Sequence, residues 1–273
     1  MKKIILSAAI LFFALSQSTA QRGWEVGGWV GMSHYFGDLN TTFNVKQPGL
    51  AGGATFRFNF NERLCLKMGA NYGFLSADDK NSRNTFELRR NLNFRTNVFE
   101  GTGQFEFNFM PYNYFDKSQW FTPYLFGGLG VFNFNPQGKL NNTWYDLRPL
   151  GTEGQFPGDE YYTTQMAFVY GGGFKVAFSE VWSVNIELSA RKLFTDYLDD
   201  VSTSYPNMNE VRKQHADIAV ALSDPSLTTE NQPKLGQFGR QRGDSRSNDM
   251  YSFFSVGLLY YFGDLRCPPV SNR

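Results

Sequence analysis

The stretch Tyr251–Phe262, Y-S-F-F-S-V-G-L-L-Y-Y-F, places apolar or aromatic side chains at Phe254, Val256, Leu258, Tyr260 and Phe262, with Ser255 and Gly257 between them. A period of two is that of a β-strand, whose successive side chains point to opposite faces. A strand that ends on an aromatic close to the C-terminus of an exported chain has the form of the closing strand of a membrane barrel. Every backbone N–H and C=O in lipid must find a partner inside the protein, so such a barrel has no free edge. The last strand is therefore expected to pair with the first.

Export is read from the other end of the chain. Lys2 and Lys3 precede the apolar run Ile4–Leu15 and the small residues Ser18, Thr19 and Ala20. This is the pattern of a secretory signal peptide, with cleavage expected after Ala20. The expected organisation is a signal peptide over 1–20, a barrel over 21–265 and a periplasmic tail over 266–273. Gln21, not Cys, stands directly after the cleavage site, so a lipid-anchored N-terminus is not expected. Beyond it no apolar run approaches the roughly 20 residues that a membrane helix needs, so insertion is expected by strands.

The composition agrees with a barrel. Aromatic residues make up 17%, with 28 Phe, yet charged residues reach 19% and the mean hydropathy is −0.39. A barrel spreads its aromatics along alternating strands and in two interfacial girdles. The net charge of +1 argues against a general nucleic-acid surface. Roughly 250 mature residues suit a single barrel with large loops.

Alternation recurs along the chain. Trp24, Val26, Val30, Met32 and Phe36 share one parity of a first strand, and Phe56, Phe58 and Phe60 mark a second. Leu64, Leu66, Met68, Ala70, Tyr72 and Phe74 alternate cleanly in a third, and Phe99, Phe105, Phe107 and Phe109 mark a fourth. The fifth, 120–134, is rich in glycine and its facing is ambiguous. Phe168, Tyr170, Phe174, Val176 and Phe178 mark the sixth, and Trp182, Val184, Ile186, Leu188 and Ala190 the seventh. The connections run alternately long and short between about eight strands, with 76–93 and 135–163 expected as long loops. Short turns face the periplasm in outer-membrane barrels and longer loops face outward, so both termini are expected on the periplasmic side. The fold class expected is all-β, an eight-stranded antiparallel transmembrane barrel in contact with outer-membrane lipids.

The polar parity gathers Glu25, Arg57, Lys67, Glu100, Glu106, Lys175, Glu187 and Arg191, four acids and four bases. Eight strands leave an interior just wide enough for side chains to fill. A lone charge there is costly, whereas a balanced set can pair. Packing is thus preferred to an ion or solute path.

Little else suggests chemistry. Ser33 and His34 are neighbours on a strand and face opposite ways, so they cannot form a dyad, and His215 lies in the last long loop. Asp196, Asp199 and Asp200 lack the spacing of a calcium loop and read as a solvated strand end. The segment 207–223 could form a short helix over the barrel mouth or a mobile outer loop, and 236–248 reads as basic, glycine-rich and flexible. No cofactor, metal or catalytic set is expected. Cys65, on the inward parity, and Cys267, in the tail, share an oxidising compartment. An intrachain disulfide, a bond to a partner and two free thiols all remain open.

Several patches resemble the PorG family of outer-membrane proteins from the type IX secretion system of Bacteroidota. They are S-H-Y-F-G-D-L-N (33–40), R-x-N-L-N-F-R (89–95), E-F-N-F-M-P-Y (106–112) and P-Y-L-F-G-G-L-G-V-F-N-F-N-P (123–136). P-L-G-T-E-G-Q (149–155), F-T-D-Y-L-D-D-V-S-T-S-Y (194–205) and Cys267 continue the series. The resemblance implies a small non-enzymatic barrel that places a periplasmic ring of the PorK lipoprotein and PorN against the outer membrane. It supplies no catalytic residues. The docking face expected on that reading is made of the turns 61–63, 111–119 and 179–181 and the tail from Gly263. A narrow porin-like channel and a surface adhesion or shielding barrel are the rival expectations.

Overall fold

Period-two segments can satisfy their backbones only by pairing with one another, and here each pairs with its neighbours in chain order. The computed structural model describes residues 23–41, 45–228 and 232–263. Strands β1 (Gly23–Phe36), β2 (Gly49–Asn59), β3 (Leu64–Asp78), β4 (Asn93–Asn108) and β5 (Phe121–Phe134) form an antiparallel meander. A small hairpin, β6 (Gln137–Leu140) and β7 (Thr143–Asp146), intervenes before β8 (Thr164–Ala177), β9 (Trp182–Leu193) and β10 (Met250–Phe262). The ladder closes where β10 pairs with β1, from Trp24 opposite Phe262 to Phe36 opposite Met250. The product is a closed antiparallel barrel of eight strands. The proposed signal segment, the tail from 266 and Cys267 lie outside the described residues.

The outer wall is apolar. Val30, Phe105, Phe99, Leu188 and Leu125 point away from the axis and stand exposed, as do Phe254, Val256 and Leu258 of the closing strand. A soluble protein does not leave so continuous a belt in water. At the short-turn end Trp24 stacks on Phe56 with ring centroids 4.8 Å apart, and Trp182 meets Tyr260 at 5.0 Å. Such rings with one polar edge suit the boundary between lipid and water.

The parity of β5, ambiguous in sequence, is settled by its neighbours. Tyr124, Phe126, Phe132 and Phe134 turn inward, while Leu125, Leu129 and Val131 face out. The closing strand is likewise apolar on both faces, because Tyr251, Phe253, Leu259 and Tyr261 are buried inside. These inward aromatics fill the two ends of the lumen. Tyr35, Phe94, Val98, Phe132, Phe134, Leu193, Tyr251 and Phe253 form a core at the long-loop end. At the other end Tyr112 and Tyr114 of the β4–β5 connection fold up against Tyr261, with Tyr114 stacked on it at 4.6 Å.

Two stretches expected to be loops are more regular, and a third, left open between helix and loop, is helical. Over 76–93, β3 runs on to Asp78, a 3-10 turn follows at Asp79–Asn81, and α1 (Thr85–Arg90) leads back to β4. Asn84 caps α1 by accepting from the N–H of Phe86 at 2.9 Å. The stretch 135–163 contains the β6–β7 hairpin, turned through Asn141 and Asn142 with φ of 48° and 68°. The segment 207–223 forms α2 (Met208–Ser223), broken at Ala216, where φ is 69°. Its Val211, Ala219 and Leu222 are buried, which answers the choice between a helix over the mouth and a mobile loop. The stretch 236–248, expected to be flexible, carries one of the most deeply buried side chains, Arg242.

Close strand approach depends on inward glycines of β1. A Cβ built on Gly27 would lie 2.1 Å from the Leu258 carbonyl oxygen, and one on Gly31 would lie 2.0 Å from that of Phe254. The obstacle is backbone, so no rotamer change relieves it. Gly31→Val is expected to destabilise the folded barrel by about 1–3 kcal/mol, read as a lower denaturation midpoint in detergent by the heat-dependent shift in gel mobility. Val30→Leu, on the outward parity, is expected to leave that midpoint unchanged.

Candidate functional site

Inside the barrel the eight charged residues singled out by parity all occupy inward positions, and they fall into two groups. The larger lies nearer the short turns. Glu106 on β4 stands at ion-pair distance from three cations: Arg57 at 2.7 Å, Lys175 at 2.7 Å and Lys67 at 3.3 Å. Arg57 also reaches Glu25 at 2.5 Å, and Lys67 reaches Glu187 at 2.5 Å. The smaller group is Glu100 with Arg191, at 3.1 Å. Each charge therefore has an opposite partner, on a neighbouring strand as for Glu25 and Arg57 or across the lumen as for Glu100 and Arg191.

Neutral residues complete the coordination. Asn59 donates to Glu25 at 2.7 Å, the Tyr124 hydroxyl donates to Glu187 at 2.8 Å, and Asn71 and Tyr251 donate to Glu100 at 2.9 and 3.1 Å. Aromatic faces cover the cations: Lys67 lies 4.2 Å from the Phe126 centroid, Lys175 lies 4.6 Å from Tyr124 and Arg191 lies 4.2 Å from Phe253. The polar parity contained Asn59 and Asn71, so alternation could have nominated both. Tyr124 could not be found that way, because its strand carried no facing signal.

Between the two groups lies a cavity of about 30 Å³ bordered by Trp29, Arg57, Asn71, Gln104, Glu187 and Arg191. That is space for about one water. Above it the aromatic core closes the lumen, and below it Tyr114 donates to Ser183 at 2.8 Å across the base. Among the described residues the lumen is filled by the paired charges, the aromatic core and the Tyr112–Tyr114 plug.

Cys65 is buried among these groups, its sulfur 3.8 Å from the Lys175 ammonium and 3.8 Å from the Asn108 amide. The connection 111–119, expected as part of a docking face, spends Tyr112 and Tyr114 on plugging the lumen, so only its remaining surface is available to a partner. It is tied to the neighbouring turn, where the Tyr112 N–H donates to the Glu62 carbonyl at 3.2 Å and Arg63 donates to the Phe109 carbonyl at 2.6 Å.

The long-loop end holds a second polar centre, and here the reading of a solvated strand end is corrected. Asp196, Asp199 and Asp200 are buried because the long connections fold over them, and residues distant in sequence donate to two of the three, Tyr35 to Asp199 and Tyr161 to Asp200. The Tyr35 hydroxyl lies 2.5 Å from Asp199 and 2.8 Å from Asp249. It has one proton to donate, so the pair needs another on a carboxyl. Burial, reinforced by their mutual repulsion and that of Asp38, pushes Asp199 well above the carboxylate range. Burial also raises Asp196 to about 8, opposed by the Ser202 hydroxyl and helped by Asp38, and raises Asp38 and Asp200 to about 6. Arg90 binds Asp79 at 2.8 Å and donates to the carbonyls of Asp38 and Arg242, while Arg242 pairs with Glu153 at 3.0 Å. These two arginines join four connections into one cap. Among the described residues no three His, Cys, Asp or Glu side chains are arranged to hold a metal. His34 sits 6.5 Å from Phe36 ring to ring and lies opposite Ser252 in the β1–β10 ladder, and His215 contacts the Gln155 carbonyl at 3.2 Å.

Glu106→Gln strands Lys175, which among the described residues has no other carboxylate partner. The expected loss is about 3–5 kcal/mol in denaturant unfolding, and adding Lys175→Met is expected to restore part of it. In the cap, the folded state holds protons that an unfolded chain releases near pH 4. Raising pH from 5 through 8 is therefore expected to loosen the cap, read as faster amide exchange over 196–202, with Asp196→Asn flattening the dependence.

A family model described as Domain of unknown function (DUF6089) matches residues 2–218. No curated protein sequence matches the chain. Among solved structures, Neisserial surface protein A is 9% identical with a TM-score of 0.42, covering 88% of this chain and 97% of its own. OprG from Pseudomonas aeruginosa is 12% identical with a TM-score of 0.42, covering 90% and 97%. Ail of Yersinia pestis, in complex with the heparin analogue sucrose octasulfate, is 7% identical with a TM-score of 0.40, covering 90% and 100%. At such scores the fold stands on the strand pairing of the chain itself. The match over 2–218 means that the chain belongs to the DUF6089 family.

Proposed function

We propose that this protein is a sealed outer-membrane barrel that acts as a non-enzymatic structural component of type IX secretion, holding the periplasmic ring of PorK and PorN against the membrane. The observation that carries the reading is the closed lumen: paired charges at mid-height, an aromatic core above and a tyrosine plug below. A barrel that spends its interior on rigidity suits an anchor better than a channel. The motifs along 33–205 supply the specific link to the secretion system.

On this reading the short-turn end faces the periplasm. The turns at 61–63 and 179–181, the outer surface of 111–119 and the tail beyond Gly263 form the docking face on this reading, with Cys267 open to a bond with a partner, a bond to Cys65 or a free thiol. A second reading, surface recognition or shielding, is favoured by one observation, the folded cap built around Arg90 and Arg242.

Affinity capture of the tagged protein from cross-linked cells, with and without reductant, tests the anchor. Ring components are expected to co-purify, and removal of 266–273 together with exchange of the three turns is expected to abolish both capture and secretion. Intact capture and secretion in that variant would reject the docking face. Replacing 208–223 by a short Gly-Ser linker is expected to leave secretion intact, whereas secretion lost in a variant that still folds would move the function to the cap.

A further inference from the structure

We infer that the outer wall at the long-loop end carries a binding groove for the phosphorylated sugar headgroup of an outer-leaflet glycolipid. The inference rests on the orientation proposed above, with the long connections on the cell surface. The groove encloses about 580 Å³ between the outer ends of β3 and β4 and the β6–β7 hairpin. Volumes of this order accommodate a disaccharide-sized group.

Its chemistry is cationic and amide-rich. Of the ionisable residues bordering the groove, Lys80, Arg95 and Lys139 are basic and Asp78 is acidic. Among the described residues none of the three bases is part of an ion pair, in contrast to every base in the lumen. The Arg95 guanidinium lies 4.1 Å from the Trp144 centroid and its Nε donates to Gln137 at 2.9 Å. Lys139 lies 5.8 Å from the same ring, so the indole holds two cations toward one space. Asn93 anchors the hairpin, accepting from the Lys139 N–H at 2.7 Å. Unpaired guanidinium and ammonium groups favour phosphate, the former bidentately, while the indole face and the amides of Asn141 and Asn142 suit sugar hydroxyls.

Position selects a lipid rather than a soluble ligand. The face bearing Ser76 opposite Arg95 and Asp78 opposite Asn93 continues downward through Phe74 to Tyr72 opposite Phe99. Tyr72 and Phe99 are exposed and packed together at 5.0 Å, within the apolar belt. A headgroup in the groove therefore has its acyl chains directed along the wall that lipid already covers. Phosphate bound by basic side chains just above the hydrocarbon edge is the arrangement by which membrane proteins retain particular lipids.

The test uses the full folded protein in detergent, with heat-dependent gel mobility verifying the fold of each variant. Bis-phosphorylated lipid A, its dephosphorylated form and phosphatidylglycerol are each offered, and lipid retained through gel filtration is measured by mass spectrometry. Wild type is expected to retain bis-phosphorylated lipid A at least about fivefold better than either of the others. Lys80→Gln/Lys139→Gln, two exposed positions away from the eight-stranded barrel ladder, is expected to reduce retention about tenfold, and Trp144→Leu to reduce it separately. Equal retention by wild type and the double variant would overturn the site. Equal retention of phosphatidylglycerol would overturn sugar recognition, and competition by glucosamine 1-phosphate at the lipid's own potency would assign the groove to a free sugar phosphate. Asn142→Cys labelled on intact cells by an impermeant maleimide tests orientation by itself. Label there with no lipid retention rejects the groove alone, whereas protection until the membrane is opened rejects the orientation.

Discussion

Glu106 faces three cations, and the interior is arranged around that contact. Arg57, Lys67 and Lys175 come from three other strands, so one carboxylate joins opposite walls of the barrel. Taking four charges out of water is unfavourable unless each is paired. Glu25 and Glu187 meet the remaining demand of Arg57 and Lys67, and the rings of Phe126 and Tyr124 cover the ammonium groups. The network is satisfied only while the eight strands stay closed in register, which makes closure and charge pairing interdependent.

Closure also sets what the ends can do. Once the lumen is filled at mid-height, the aromatics above and below it act as stoppers, and function moves to the two rims and the outer wall. At the short-turn rim the β4–β5 connection is held by Tyr112 and Tyr114, leaving a firm surface at that end of the barrel. At the other rim Arg90 and Arg242 gather separate connections into a cap whose buried carboxyls hold protons at mildly acidic pH. The groove beside Trp144 lies where that cap meets the lipid-facing wall.

Much of the barrel is legible in the chain because period-two patterning is a local property. Leu64 to Phe74 shows it most clearly, and the same parity places Glu106 and its partners inside before any contact is known. Which acid meets which base is not legible, since Glu106 and Lys175 are brought together by strand order and stagger. The aromatic stoppers escape the pattern for a different reason. Tyr251, Phe253 and Tyr261 are apolar residues on the nominally polar face, and alternation alone assigns them no role. The cap is least legible: Asp199 reads as surface until Tyr35 and Asp249, far away in sequence, are seen to enclose it.

Single-channel recording of the purified barrel in a planar bilayer tests the sealed lumen most directly. With Glu106 paired and both stoppers in place, wild type is predicted to give no stepped conductance, while combined Tyr112→Ala, Tyr114→Ala and Glu106→Ala changes, in barrels that still fold, admit small currents. Large, regular, ion-selective steps from the wild-type protein would contradict the account, because they require a continuous aqueous path where the structure places Phe132, Glu106 and Tyr114.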